Sequence, residues 1–157
     1  MEDKRITKTK RALKSALLDL LTTQAFDVIS ITELCKIANV SRITFYTHYK
    51  DKFALLDDIF NDMLIIGKEG YHRRQEENNP ENNLTQGYLN VLDSILSLYY
   101  ERYDFFQHVV PETNPYLAFR FYRILLDTVE SHTDKLKASY SLKYSARQIA
   151  GFICFGL

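Results

Sequence analysis

Ser30–Lys52, SITELCKIANVSRITFYTHYKDK, is the stretch that decides the fold. Ser30 and Glu33 have the S-x-x-E spacing of a capping box, in which the serine oxygen accepts from a backbone N–H and the glutamate reaches back to the cap residue. A helix therefore starts near Ile31. Leu34, Cys35 and Ala38 give it a narrow apolar face, and Asn39, which tolerates left-handed φ/ψ, stands where the chain must turn. Ser41 caps a second helix. Its outer face carries Arg42, Thr44, Thr47 and His48, while Phe45 and Tyr49, four apart, point back to the core. Two short capped helices across a tight turn, with hydroxyl, phenol and ammonium donors beside them, make a unit suited to double-stranded DNA.

The same residues resemble the helix-turn-helix of TetR-family (TetR/AcrR-like) transcription regulators. That pattern runs roughly T-x-x-x-I-A-x-x-A-G-V-S-x-G-T-x-Y-x-H-F-x-x-K-x-x-L, matched here by A-N-V-S-R-I-T-F-Y-T-H-Y-K-D-K-F-A-L from Ala38 to Leu55. The Y-x-H-Y-x-x-K run, Tyr46 to Lys52, is the specific part, because a generic helix-turn-helix does not require it. There are two departures: Asn39 replaces the usual glycine of the turn, and Ile43 replaces the glycine common near the start of the recognition helix. Asparagine visits the left-handed region at modest cost. A branched side chain at position 43 either limits close backbone approach to DNA or contacts a thymine methyl.

The resemblance implies that Arg42, Ile43, Thr44 and Thr47 face base edges, and that Ser30, Thr32, Tyr46, His48 and Lys52 contact phosphates. Tyr46 and His48 have a plainer alternative, packing and hydrogen-bonding within the fold. Tyr49 is expected in the core.

Charge is distributed accordingly, although the whole chain is neutral. Residues 1–52 hold ten Lys/Arg against six Asp/Glu, a net +4, and the remainder, ten against fourteen, carries −4. A positive N-terminal segment orients the molecule toward a polyanion. Lys8, Lys10, Arg11 and Lys14 serve equally as a solvated helix face.

The chain has 157 residues, 46% of them hydrophobic, enough for a substantial core. No run of eighteen apolar residues and no charged-then-apolar leader occurs, so a soluble cytoplasmic protein is expected. Cys35 and Cys154 lie far apart with no C-x-x-C and are expected to be reduced core thiols.

Three prolines and five glycines interrupt apolar spacing that is helical nearly throughout, so the fold class is all-α. Ile6, Leu13, Leu17, Leu20 and Leu21 stripe a first helix expected to end near Ala25, with Phe26 packing beneath the helix-turn-helix. Phe53, Leu56, Ile59, Phe60, Met63 and Leu64 stripe a longer helix to about Gln75, and Glu76–Asn83, EENNPENN, reads as a polar linker. Further helices are expected over Leu84–Arg102, Asp104–Val109, Tyr116–Ser139 and from Ser141 onward. There is no internal repeat. The organisation implied is a helix-turn-helix DNA-binding domain over 1–52 and a helical effector-binding and dimerisation domain over 53–157.

Fourteen of the 21 Tyr and Phe residues follow Asn83. The resemblance implies that the C-terminal helices bind a small-molecule effector and make a homodimer; Tyr88, Tyr99, Phe106, Phe119 and Tyr122 are the expected lining, with His108 as a polar contact. An aromatic stripe at helical spacing is also ordinary core. Tyr99–Phe106, YYERYDFF, and Asn114–Tyr122, NPYLAFRFY, look like the C-terminal domain of a Firmicute subgroup that includes regulators of dihydroxyacetone-kinase operons. The sequence stops at GFICFGL inside an apolar helical run, which suggests that more chain lies beyond it; exposed Phe152, Ile153 and Phe155 would be sticky unless paired in a dimer.

Catalysis is not expected. The four histidines are scattered, and His108 and Glu112 have i,i+4 metal-ligand spacing but Pro111 interrupts the helix they would need. There is no Gly-rich phosphate loop or nucleophile elbow, and no cofactor or metal is implied. The expectation is a homodimeric, ligand-responsive repressor on a palindromic operator, in which the effector tilts the Lys52–Gln75 helix. The alternative is a co-activator or protein-binding adaptor with the same fold.

Overall fold

The computed structural model describes residues 4–137 and 143–155, and every regular element among them is helical. In chain order these are α1 (Lys4–Leu21), a 3₁₀ turn (Phe26–Val28), α2 (Ile31–Ile37), α3 (Arg42–His48), α4 (Lys52–Asn78), α5 (Leu84–Glu101), α6 (Tyr103–Phe106), α7 (Pro115–Lys137) and α8 (Ala146–Phe155). None of the described helices is long and apolar enough to cross a membrane.

Several boundaries differ from those expected, for local reasons. α1 ends at Leu21 rather than near Ala25 because the Thr22 and Thr23 hydroxyls donate back to Asp19 O (2.6 Å) and Leu20 O (3.1 Å), a side-chain alternative to continuing the helix. α6 is shorter than Asp104–Val109, since the His108 and Val109 N–H groups bond to carbonyls three residues back. α8 opens with a capping box not anticipated from the sequence: Ser145 Oγ accepts from Gln148 N (3.2 Å) and Gln148 Oε1 accepts from Ser145 N (2.9 Å). Its expected start at Ser141 lies outside the described residues, as do the side chains of Phe152, Ile153, Cys154 and Phe155.

The expected linker Glu76–Asn83 begins as helix, because α4 runs through Asn78. Beyond Asn78 the chain makes a tight turn held by asparagine. Asn79 Nδ2 donates to Gln75 Oε1 (3.1 Å) and Asn83 O (3.0 Å), its Oδ1 accepts from Asn83 N (2.7 Å), and Asn82 takes φ 56. Asn90 of α5 is fully buried and donates to Asn78 Oδ1 and Gln75 Oε1, tying α5 back onto α4. The polar run thus encodes a satisfied buried network.

One apolar core runs from α1 through the helix-turn-helix to α6 and the start of α7. Leu13 and Leu17 of α1, Phe26, Phe45 of α3 and Leu55, Leu56, Ile59 and Phe60 of α4 belong to the same buried cluster as Phe105 and Phe106 of α6 and Leu117 of α7. A second cluster of Val91, Leu126 and Val129, with Tyr71, Ile95 and Tyr122 packed on it, joins α4, α5 and α7 farther along.

Candidate nucleic-acid interface

α2 and α3 meet in the manner their caps dictate. Ser30 Oγ accepts from Glu33 N (3.2 Å) while Glu33 Oε2 accepts from Ser30 N (2.9 Å) and from Ser30 Oγ (2.6 Å), completing the capping box. These hydrogen bonds, the side-chain one first, hold the Glu33 carboxyl below its ordinary value. At the other end of α2, Asn39 has φ 53, Val40 N donates to Cys35 O (3.0 Å) and Asn39 N to Lys36 O (3.3 Å), the two bonds of a Schellman motif. Asparagine therefore fills the left-handed position that glycine would otherwise take. Ser41 Oγ then accepts from Thr44 N (3.0 Å) and starts α3. Phe45 and Tyr49 are buried as expected, and the Tyr49 hydroxyl donates to Asp58 Oδ2 (2.6 Å) of α4.

This anchoring leaves a defined surface. Ile43 is 82% exposed and Tyr46 49%, with Arg42 and Thr47 exposed beside them and Thr32 exposed on α2. Thr44 is half-buried and shares a 2.8 Å hydrogen bond with Ser41, His48 is half-buried, and the Thr47 hydroxyl donates to Ile43 O (2.9 Å). The Ser30 hydroxyl is committed to its box. Lys36, in the last turn of α2, and Lys50, just past α3, are also exposed; in the sequence they register only as charge.

Lys52 departs from expectation. Its Nζ donates to Phe26 O (2.9 Å), Asp27 O (2.7 Å) and Ile29 O (2.8 Å), so all three ammonium protons go to carbonyls of the 3₁₀ turn and its exit. The charge also lies 4.9 Å from the Phe26 ring centroid. Burial pushes the ammonium below its ordinary value, against the opposing pull of Asp27 and Glu33. A lysine expected to hold phosphate instead clamps the segment that leads into Ser30. Among the N-terminal cations, Lys4, Arg5, Lys8 and Arg11 are exposed along α1, whereas Lys14 is paired with Asp58 (3.2 Å) and Asp62 (2.5 Å) of α4. Cys35 is a buried thiol, pushed up by desolvation and correspondingly inert.

A cavity of about 490 Å³ opens between α4, α5 and α7. Of the six residues expected to line it, Phe106 alone does so. Tyr88 is bonded to Thr133 Oγ1 (2.8 Å), Tyr99 stacks on the outside of Phe106 at 5.6 Å, and Phe119 is 58% exposed. Tyr122 packs on the Val91 cluster, and His108 lies outside the lining. The walls come instead from Phe60, Met63 and Tyr71 of α4, Ile95 and Leu98 of α5, and Phe121, Ile124 and His132 of α7. These escape a reading of the sequence because a stripe says which helix face is buried but not which faces leave space between them. Among the described residues no cluster of His, Cys, Asp and Glu is disposed to hold a metal ion.

No protein-family model matches the chain. An uncharacterised HTH-type transcriptional regulator, YxbF, of Bacillus subtilis (strain 168) is 40% identical over 55 residues, which is 34% of this chain and 14% of that protein's length. Among solved structures, the dihydroxyacetone kinase operon activator DhaS superposes over 94% of this chain and 80% of its own at a TM-score of 0.55 and 24% identity, so the two share a fold. A TetR transcriptional regulator from Streptococcus agalactiae 2603V aligns over 98% of this chain at 20% identity and a TM-score of 0.38, too low to carry weight. The chain thus shares its fold with DhaS, and over 55 residues it is similar to a protein named as an HTH-type transcriptional regulator.

Proposed function

We propose that this chain is a cytoplasmic, homodimeric transcription regulator that reads a palindromic operator with α3 and is released by a small molecule bound between α4, α5 and α7. Residues 1–52 carry the DNA face, and residues 53–157 carry the effector cavity and the dimer contacts. The observation that carries the reading is the exposed set Arg42, Ile43, Tyr46 and Thr47 on a Ser41-capped helix that is otherwise buried through Phe45 and Tyr49. Arg42 and Ile43 suit base edges, one by paired donors to guanine and the other by contact with a thymine methyl, while Tyr46 and Thr32 suit phosphate oxygens. In this assignment Lys52 is a positioning residue.

The switch is mechanical. α4 supplies Phe60, Met63 and Tyr71 to the cavity and, at its first residue, Lys52 to the segment beneath the helix-turn-helix. A ligand that shifts α4 changes the separation of two recognition helices that must meet successive major grooves about 34–36 Å apart. Tenfold release needs only about 1.4 kcal/mol of preference for the DNA-incompetent state. We assign repression in the absence of ligand. That DhaS is an operon activator favours a second reading, activation or co-activation on the same fold.

A gel-shift screen with the DNA flanking the chain's own gene tests the assignment. Sequence-selective binding that Arg42→Ala weakens is the expected result, and absence of binding to every fragment at low salt would leave the adaptor reading.

A further inference from the structure

The cavity is chemically polarised along its length. α4 and α5 run antiparallel, with Gly67 against Leu98, Gly70 against Ser94, and Gln75 hydrogen-bonded to Asn90, while Tyr71 of α4 meets His132 of α7 at 3.3 Å. Phe106 and Phe121, 4.9 Å apart, and Phe60, with Phe105 at 5.3 Å, therefore mark the end nearest the helix-turn-helix. Lys68, Tyr71, His72, Asp127, Ser131 and His132 all fall in the opposite half. One end is a box of rings and aliphatic groups, and the other, which Val91 and Ile95 also line, holds a lysine and two imidazoles against one carboxylate.

Such a wall sorts ligands by the distribution of their own polarity. An apolar body gains by leaving water for the ring-lined end, and a charged head keeps its solvation only where donors meet it. Lys68 offsets Asp127, and the remaining hydroxyl and imidazole donors favour an anion. Resting on the ligand-gated reading above, we propose that the cavity takes a monocarboxylate with an elongated apolar body, its carboxylate between Lys68 and the Tyr71–His132 pair and its body against Phe60, Phe106 and Phe121. This fixes its orientation: the head lies toward the far end of α4, and the body presses on Phe106, a residue of the same buried cluster as Phe45 and Leu55.

The test uses decanoate and decan-1-ol as a matched pair, with binding read by isothermal titration calorimetry and by thermal shift. The expected result is decanoate binding at least tenfold tighter than the alcohol, with Lys68→Gln removing most of that preference while leaving the alcohol's affinity unchanged. Equal affinities, a preference untouched by Lys68→Gln, or no binding of either probe would overturn the carboxylate assignment without touching the cavity itself. Leu125→Trp, which fills the space from α7, separates the two claims: decanoate that binds this variant undiminished, its helicity matching the parent by circular dichroism, sits elsewhere and sinks the cavity reading as well.

Discussion

Asn114, at the entrance to α7, is joined to Phe26, beneath the helix-turn-helix, by a buried 2.7 Å hydrogen bond from the Phe26 backbone N–H to the Asn114 side-chain oxygen. The rings around it reinforce the link: Tyr116 stacks on Phe26 at 5.7 Å, and Phe53 meets both edge-on. Asn114→Ala leaves a buried donor unsatisfied, so a loss of about 1–3 kcal/mol is expected in urea unfolding. Asn114→Asp, which keeps the acceptor, should lose less. Because Phe26 also supports Lys52 and the approach to Ser30, the alanine variant should weaken operator binding without altering its sequence preference.

Lys52 makes a separable prediction. Its ammonium satisfies three carbonyls and has no N–H left for a phosphate, so Lys52→Met should cost about 2 kcal/mol of stability. The dependence of DNA affinity on salt concentration should keep its slope. A slope reduced by about one unit per half-site would restore Lys52 to the phosphate contacts.

The roles proposed for the α3 side chains are separable. Arg42→Ala is expected to cost roughly 1–3 kcal/mol per half-site and to relax the preference at one symmetric pair of base positions. Tyr46→Phe should weaken binding to all sequences alike. Quantitative gel shifts against a randomised operator library distinguish a change of preference from uniform loss.

Acid should loosen the start of α2. The Glu33 carboxyl is held below its ordinary value by its bonds from Ser30, so its stabilisation is present above that value and is lost as pH falls through the lowered one. Glu33→Gln retains the geometry of the box without the charge. At neutral pH the parent should be the more stable of the two, and the gap should close as the pH is lowered past the carboxylate range, followed by thermal unfolding.

Features set by residues three to five apart were legible in the sequence. The Ser30–Glu33 box, the Ser41 cap, the left-handed Asn39 and the buried pair Phe45 and Tyr49 each follow from spacing and side-chain chemistry alone. Contacts across the fold were not. The Lys52 clamp spans more than twenty residues and depends on where a 3₁₀ turn directs its carbonyls. The Asn79 and Asn90 network makes a buried joint from a run whose composition reads as solvent-facing. The aromatic excess after Asn83 drew attention to Tyr88 and Phe119, whereas the cavity takes its shape from the antiparallel match of α4 with α5, and much of its lining from α4 residues that precede that region.

The continuity of the buried cluster makes α2 and α3 part of a larger cooperative unit. Cutting after Lys52 would strip Phe26 of the Phe53 and Tyr116 rings and of its Asn114 acceptor, and would remove Leu55, Leu56 and Phe105 from the packing around α1. In hydrogen exchange, the slowest amides of α1, α3 and α6 should accordingly share one opening free energy. Under the proposed function, a molecule that tightens or loosens the surroundings of Phe106 would act on how often α2 and α3 open, besides any displacement of α4, and operator occupancy would become a measure of local order.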